Sequence, residues 1–175
     1  MPHTLHDTRI LMFVGPLYED LELWYPKLRL EEEGASVTVA GLGDRRYAGK
    51  NGYPCTPDAQ VTDVDSDAFH GLVLPGGFAP DKLRRSADVL RITAEIFHSG
   101  RPIAHICHAG WIPISAGIMA GMTCTSTPAI RDDLVNAGAT WVDQEVVVDK
   151  NMISSRGPND LPRFCQEIIG SLHNR

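Results

Sequence analysis

The sequence has no excess of positive charge. Its 16 lysines and arginines stand against 22 aspartates and glutamates, a net charge of −6. Phosphate binding needs the opposite balance, so nucleic acid is excluded as the main partner. No apolar run approaches the ~18 residues of a membrane span. Met1 to Thr8 is short and polar, without the apolar core of a signal peptide. We therefore expect a tail at 1–8, a single domain at 9–175 and a cytoplasmic location. No CxxC pair occurs, which excludes zinc by spacing. The four cysteines, Cys55, Cys107, Cys124 and Cys165, are even in number, but a disulfide frame goes with export. Four reduced thiols are expected. The chain also lacks G-x-G-x-x-G and a P-loop, so no nucleotide cofactor is expected, nor any other.

What is present is a full-sized core. A chain of 175 residues with 43% apolar content buries enough surface to fold without staples. Arg9 to Val14 is an apolar strand ending at Gly15-Pro16. Leu21, Trp24, Tyr25 and Leu28 follow at i, i+3, i+4, i+7, one face of a helix that ends at Gly34. Pro26 inside it predicts a kink or an irregular first half. Ser36 to Ala40 is the next strand, completing a strand–helix–strand unit. Tyr47 to Asp67 reads as a small hairpin and a short crossover strand near Val61.

Gly71 to Leu74 and Ile103 to Ile106 are further buried strands. Between them, 88–99 is a helix with Val89, Ile92 and Ile96 inward. A helix begins near Ala109, Met122 to Ser126 is a possible strand, and Ile130 to Ala137 is a helix closed by Gly138. Val146 to Asp149 and Met152 to Ser155 form a hairpin about Lys150-Asn151. A last helix is capped by Asp160 and turns Phe164, Cys165, Ile168, Ile169 and Leu172 inward. Alternating strands and helices predict an α/β fold: a doubly wound, three-layer sandwich around a mostly parallel sheet. Its site should lie beyond the carboxyl ends of the strands.

Three segments reach that edge. Cys107 follows a strand and precedes small Ala109 and Gly110, which permit a sharp strand-to-helix turn. A thiol at a helix N-terminus is expected to fall below the ordinary ~8.5. The alternative is a small buried hydrophobe. Cys165 reads as core, while the proline-rich loop around Cys55 leaves that thiol open to exposure. His108 adjoins Cys107, but chain neighbours do not ordinarily face each other. His105 reads as a hydrogen-bonded core histidine. Glu19 and Glu22 begin the first helix, where a carboxylate complements the dipole and need do nothing more. If Glu22 faces Cys107, a raised pKa would let it donate a hydrogen bond to sulfur. Pro75-Gly76-Gly77 is either a plain turn or half of an oxyanion hole shared with the His108 N–H.

Together the segments Tyr18-Glu19-Asp20-Leu21-Glu22, Leu72 with Pro75-Gly76-Gly77, Ile106-Cys107-His108-Ala109-Gly110, Asp143 to Asp149 and Ser155-Arg156-Gly157-Pro158 resemble the ThiJ/PfpI family. The match runs from about Arg9 to Leu172 and is nearest to the PfpI, or intracellular protease, branch. The resemblance implies a flavodoxin-like fold related to class I glutamine amidotransferase domains. It implies a nucleophile at Cys107 paired with Glu22, with Glu19 as a second acid. It also implies a pocket bordered by Trp111 and Arg156, and a Cys107–His108 pair completed by Asp81 of the partner subunit. The founding protease has glutamate at that last position. Thr127 replaces the histidine of the parkinsonism-linked branch, so ligand details of that branch do not carry over. Dimers, and hexamers built from them, are implied. The activities implied are a cofactor-free glyoxalase or deglycase acting on reactive aldehydes or glycation adducts, a cysteine peptidase or amidase, and a redox-sensing stress protein or chaperone.

Overall fold

The protein is described by a computed structural model covering residues 5–173. Its elements in chain order begin with β1 (Arg9–Val14), α1 (Asp20–Glu32) and β2 (Ser36–Gly41). The short strands β3 (Tyr47–Ala48), β4 (Pro54–Cys55) and β5 (Ala59–Gln60) follow. Then come β6 (Gly71–Leu74), α2 (Ala79–Leu83), α3 (Ala87–His98), β7 (Ile103–Ile106) and α4 (Trp111–Ser115). The chain closes with β8 (Thr123–Cys124), α5 (Arg131–Asn136), β9 (Thr140–Trp141), β10 (Val146–Asp149), β11 (Met152–Ser155) and α6 (Leu161–His173).

The main sheet has seven strands in the order β10-β11-β7-β6-β1-β2-β5. All pairs are parallel except β10 with β11. The chain steps one way from β1 to β2 and the other way from β6 to β7. Right-handed crossovers in opposite directions put their helices on opposite faces. Accordingly α1 packs with α6, while α3 packs with α4. The central strands are buried on both faces, which is why they read as unbroken apolar runs. The doubly wound reading is borne out, and its switch point lies between β1 and β6.

Several local expectations need correction. The Leu21–Trp24–Tyr25–Leu28 stripe does not face the sheet: Leu21 and Leu28 are 55% and 59% exposed. The buried face of α1 is Glu22, Leu23, Pro26 and Leu30. Three carboxylates at its start, Glu19, Asp20 and Glu22, are buried, so the inward face was the less apolar one in sequence. The helix runs unbroken through Pro26. The crossover strand lies at Ala59–Gln60, just before Val61. Cys55 is buried rather than exposed. Asp160 precedes α6, but its carboxylate is taken up by Arg156. Strand β9, paired with β8, was not anticipated. Of the expected tail, residues 1–4 lie outside the described residues. Leu5 is buried, and its N–H donates to the Glu33 carbonyl.

Candidate active site

β7 ends at Ile106 and the chain turns at once into a short 3-10 helix, Cys107–Gly110, that leads into α4. The turn puts Cys107 in the left-handed region, φ 61°. A non-glycine residue there carries strain of about 1–2 kcal/mol. The conformation lifts the side chain off the strand, as a nucleophile elbow does. It also brings together two neighbours that the sequence left apart: His108 Nδ1 lies 3.3 Å from Cys107 Sγ. The His108 ring rests on Trp111, centroids 5.3 Å apart.

Gly76 and Gly77 wall the other side. The Gly76 N–H donates to Glu22 Oε2 at 2.8 Å. A methyl group on Gly76 would sit 2.5 Å from that oxygen and 2.8 Å from Cys107 Cβ. Gly76 is therefore the spacer that lets Glu22 and Cys107 share one niche. Gly77 has φ 79° and lies so close to the Glu19 backbone that any Cβ would clash at 2.3 Å. The N–H groups of His108 and Gly77 both act on the Cys107 sulfur and favour thiolate.

Burial dominates the electrostatics. It pushes the Glu22 carboxyl up to about 8, with the neighbouring charge of Glu19 adding to the shift. Glu22 thus keeps its proton at neutral pH; among the described residues its buried Oε1 has no nitrogen or oxygen partner, and the carboxyl faces the Cys107 thiol. Burial, then the Glu22 charge, pushes the Cys107 thiol up to about 12. This corrects the expected fall. The 3-10 turn and the five-residue α4 carry little dipole, and desolvation outweighs the two N–H groups. When Glu22 is protonated, its share of the increase is absent. Burial also lowers His108, and the Lys50 charge lowers it further.

Lys50 was not singled out in the sequence. It sits at the tip of the β3–β4 hairpin, flanked by Gly49 and Gly52, and its ammonium pairs with the buried Glu19 at 2.5 Å. The Asp20 carboxylate clamps this tip by accepting hydrogen bonds from the Asn51 and Tyr53 N–H groups. The glycine-flanked lysine was its only sequence signal.

Other expected residues lie elsewhere in the chain. Asp81 is on the surface of α2 and accepts two hydrogen bonds from Arg85. Among the described residues, no hydrogen bond joins it to His108. Arg156 is held by Asp160 and Asp143. His105 is buried, but among the described residues neither ring nitrogen has a hydrogen-bond partner, contrary to expectation. Burial depresses it to about 4.

Residues 8–171 match the DJ-1/PfpI family. The chain belongs to the DJ-1/PfpI family. It is 46% identical over 161 residues to Deglycase TK1284 of Thermococcus kodakarensis, covering 92% of this chain and 97% of that protein. It is 44% identical, with the same coverages, to Deglycase PfpI of Pyrococcus furiosus. The crystal structure of Drosophila melanogaster DJ-1beta superposes with a TM-score of 0.89 at 31% identity, covering 96% of this chain and 91% of that one. The resemblance read from five segments is thus borne out for the DJ-1/PfpI family and its fold. Among the described residues, no helix is long and apolar enough to cross a membrane.

Proposed function

We propose that this chain is a cofactor-free deglycase or glyoxalase that acts through Cys107. The carrying observation is the Cys107 turn, which sets a thiol against an imidazole and two N–H groups beside a carboxyl that keeps its proton. The deglycase names of the two archaeal relatives support the same reading. In this mechanism Cys107 Sγ passes its proton to His108 Nδ1 and attacks the aldehyde carbon of a 2-oxoaldehyde, or displaces the amine from that carbon of an adduct, the C–N bond breaking and the amine leaving with the His108 proton. The new C–S bond makes a hemithioacetal whose oxygen is held by the N–H groups of Gly77 and His108. Glu22 gives up its proton as the oxyanion forms and becomes the base. It takes the proton from the former aldehyde carbon and returns one to the adjacent carbon. Oxidation of the first carbon balances reduction of the second, so no cofactor is needed. Water then cleaves the resulting thioester to a 2-hydroxy acid and free thiol.

Turnover of methylglyoxal without glutathione, and release of amines from their methylglyoxal adducts, test the reading against Cys107→Ala. Equal turnover in both proteins would overturn it.

The 3.3 Å Sγ–Nδ1 contact favours a second reading, a cysteine peptidase in which Asp81 of the partner subunit orients His108. The exposed apolar stripe of α1, continued by Tyr53 and by Leu17 and Phe78 near the site, supports a homodimer that covers it. Asp81→Ala then abolishes peptide cleavage while the isolated chain keeps its stability, because the Asp81–Arg85 pair is a surface one. Undiminished cleavage in Asp81→Ala would exclude the partner's participation.

A further inference from the structure

The reaction proposed above does not use Lys50, yet the fold goes to some length to place it. The hairpin tip is fixed at four points. Asp20 accepts from Asn51 N–H at 2.9 Å and Tyr53 N–H at 2.8 Å. Lys50 N–H donates to the Tyr18 carbonyl at 2.8 Å, and Gly49 N–H to the Tyr53 carbonyl at 2.8 Å. Gly49 lies so close that a Cβ would meet the Asp20 carboxylate at 2.3 Å. The result is a polarised pair. Glu19 is 6% exposed, while the Lys50 side chain is 42% exposed. The positive end faces solvent and the negative end faces the protein.

Geometry ties Lys50 to the thiol: its ammonium pairs with Glu19, the Glu19 N–H donates to the Gly76 carbonyl at 3.1 Å, and Gly76 abuts Cys107, so the Lys50 charge is felt by Cys107, Glu22 and His108. Another cation, Arg84, lies over Trp111 with its Nε committed to Ser115. A Schiff-base role does not suit Lys50. The Glu19 hydrogen bond holds its proton on, and an amine nucleophile must lose it. What remains is a fixed ammonium with N–H donors to spare beside a reactive thiol. The chain as a whole carries −6, which repels anions, so an anion reaching Cys107 needs a local counter-charge.

We infer that Lys50 is a specificity residue: its ammonium forms an anion subsite that selects substrates carrying a carboxylate close to the carbon attacked by Cys107. For the reaction proposed above, on which the identity of the substrate rests, the class is an aldehyde adduct of a free amino acid or of a C-terminal cysteine in preference to a neutral aldehyde.

The test uses alkylation of Cys107, which needs no turnover. Iodoacetate and iodoacetamide share a leaving group and differ by one negative charge. The other three thiols are buried, and mass spectrometry confirms the site of labelling. The observable is the ratio of the two rate constants, because a general change in thiol reactivity cancels from it. Lys50→Met is expected to lower the iodoacetate-to-iodoacetamide ratio about fivefold, Lys50→Arg to retain it, and 0.5 M salt to shrink the wild-type preference. Glu19→Gln, which leaves Lys50 uncompensated, is expected to raise the ratio. Glu19→Gln with Lys50→Met is expected to keep it low, which excludes a bare Glu19 as the cause. A ratio unmoved by both Lys50→Met and Glu19→Gln overturns the subsite.

A second comparison uses methylglyoxal hemithioacetals of N-acetylcysteine and of its neutral amide. Turnover of neither refutes the deglycase reading, and the alkylation ratio still decides the subsite. Turnover of both with a ratio of kcat/KM unaffected by Lys50→Met refutes the subsite alone.

Discussion

His108 Nδ1 lies 3.3 Å from the sulfur of its own chain neighbour, Cys107, because Cys107 sits at a φ of 61°. The contact and the strain have one origin. Two substitutions separate them. Cys107→Ala and Cys107→Gly both lose turnover, on the order of 1,000-fold or more. Glycine adopts the left-handed turn freely, so Cys107→Gly is the more stable of the two by on the order of 1 kcal/mol. Urea unfolding of the pair measures this. Equal stability would mean that the turn relaxes.

Gly76→Ala is expected to inactivate without touching any reacting group. The new methyl meets Glu22 Oε2 at 2.5 Å and the Ile106 carbonyl at 2.9 Å, and both belong to rigid elements. The carboxyl is driven from the thiol, and overpacking costs about 1–3 kcal/mol. Activity falls far more than the melting temperature accounts for. A fully active Gly76→Ala enzyme would show that Glu22 need not stay against Cys107.

Glu22 also exacts a pH-dependent cost. Its carboxyl rises from the ordinary 4.5 to about 8 in the fold, mainly through burial. Between those values the folded state binds more protons than the unfolded chain, so stability declines as pH rises through that window. Glu22→Gln removes the decline and keeps an acceptor for the Gly76 N–H. The variant is expected to be inactive yet more stable than wild type at pH 7, by on the order of 3 kcal/mol, with no advantage at pH 4. Denaturant titrations at the two pH values decide it.

His105 works in the opposite direction. Burial holds it at about 4, below the ordinary 6.5, so the unfolded chain takes up the proton first. Its contribution is intact above pH 6.5 and is lost as pH falls toward 4, by on the order of 3 kcal/mol. His105→Phe is expected to show a shallower acid decline than wild type across that window. Parallel declines would mean that His105 titrates normally.

The central strands β1, β6 and β7 were legible because each is a short apolar run with a glycine or proline at one end, and burial on both faces leaves no alternation to misread. Cys107 was legible for a related reason: it interrupts a strand-to-turn junction with a reactive group. The inward face of α1 was not. Periodicity selects the most apolar stripe, but the buried stripe spends Glu19 and Glu22 on the site, while Leu21 and Leu28 face outward. Lys50 was hidden because its place depends on Asp20, some thirty residues away in the chain. His105 was misjudged because a strand position shows that a ring is buried, not whether its nitrogens find partners.

The burial of Cys55, Cys124 and Cys165, set against the half-open Cys107, makes the native chain its own titrant. A chromogenic disulfide should release one equivalent of dye per folded chain and four once the chain is unfolded. The first number counts competent sites in any preparation, so rates can be referred to functional enzyme rather than to total protein.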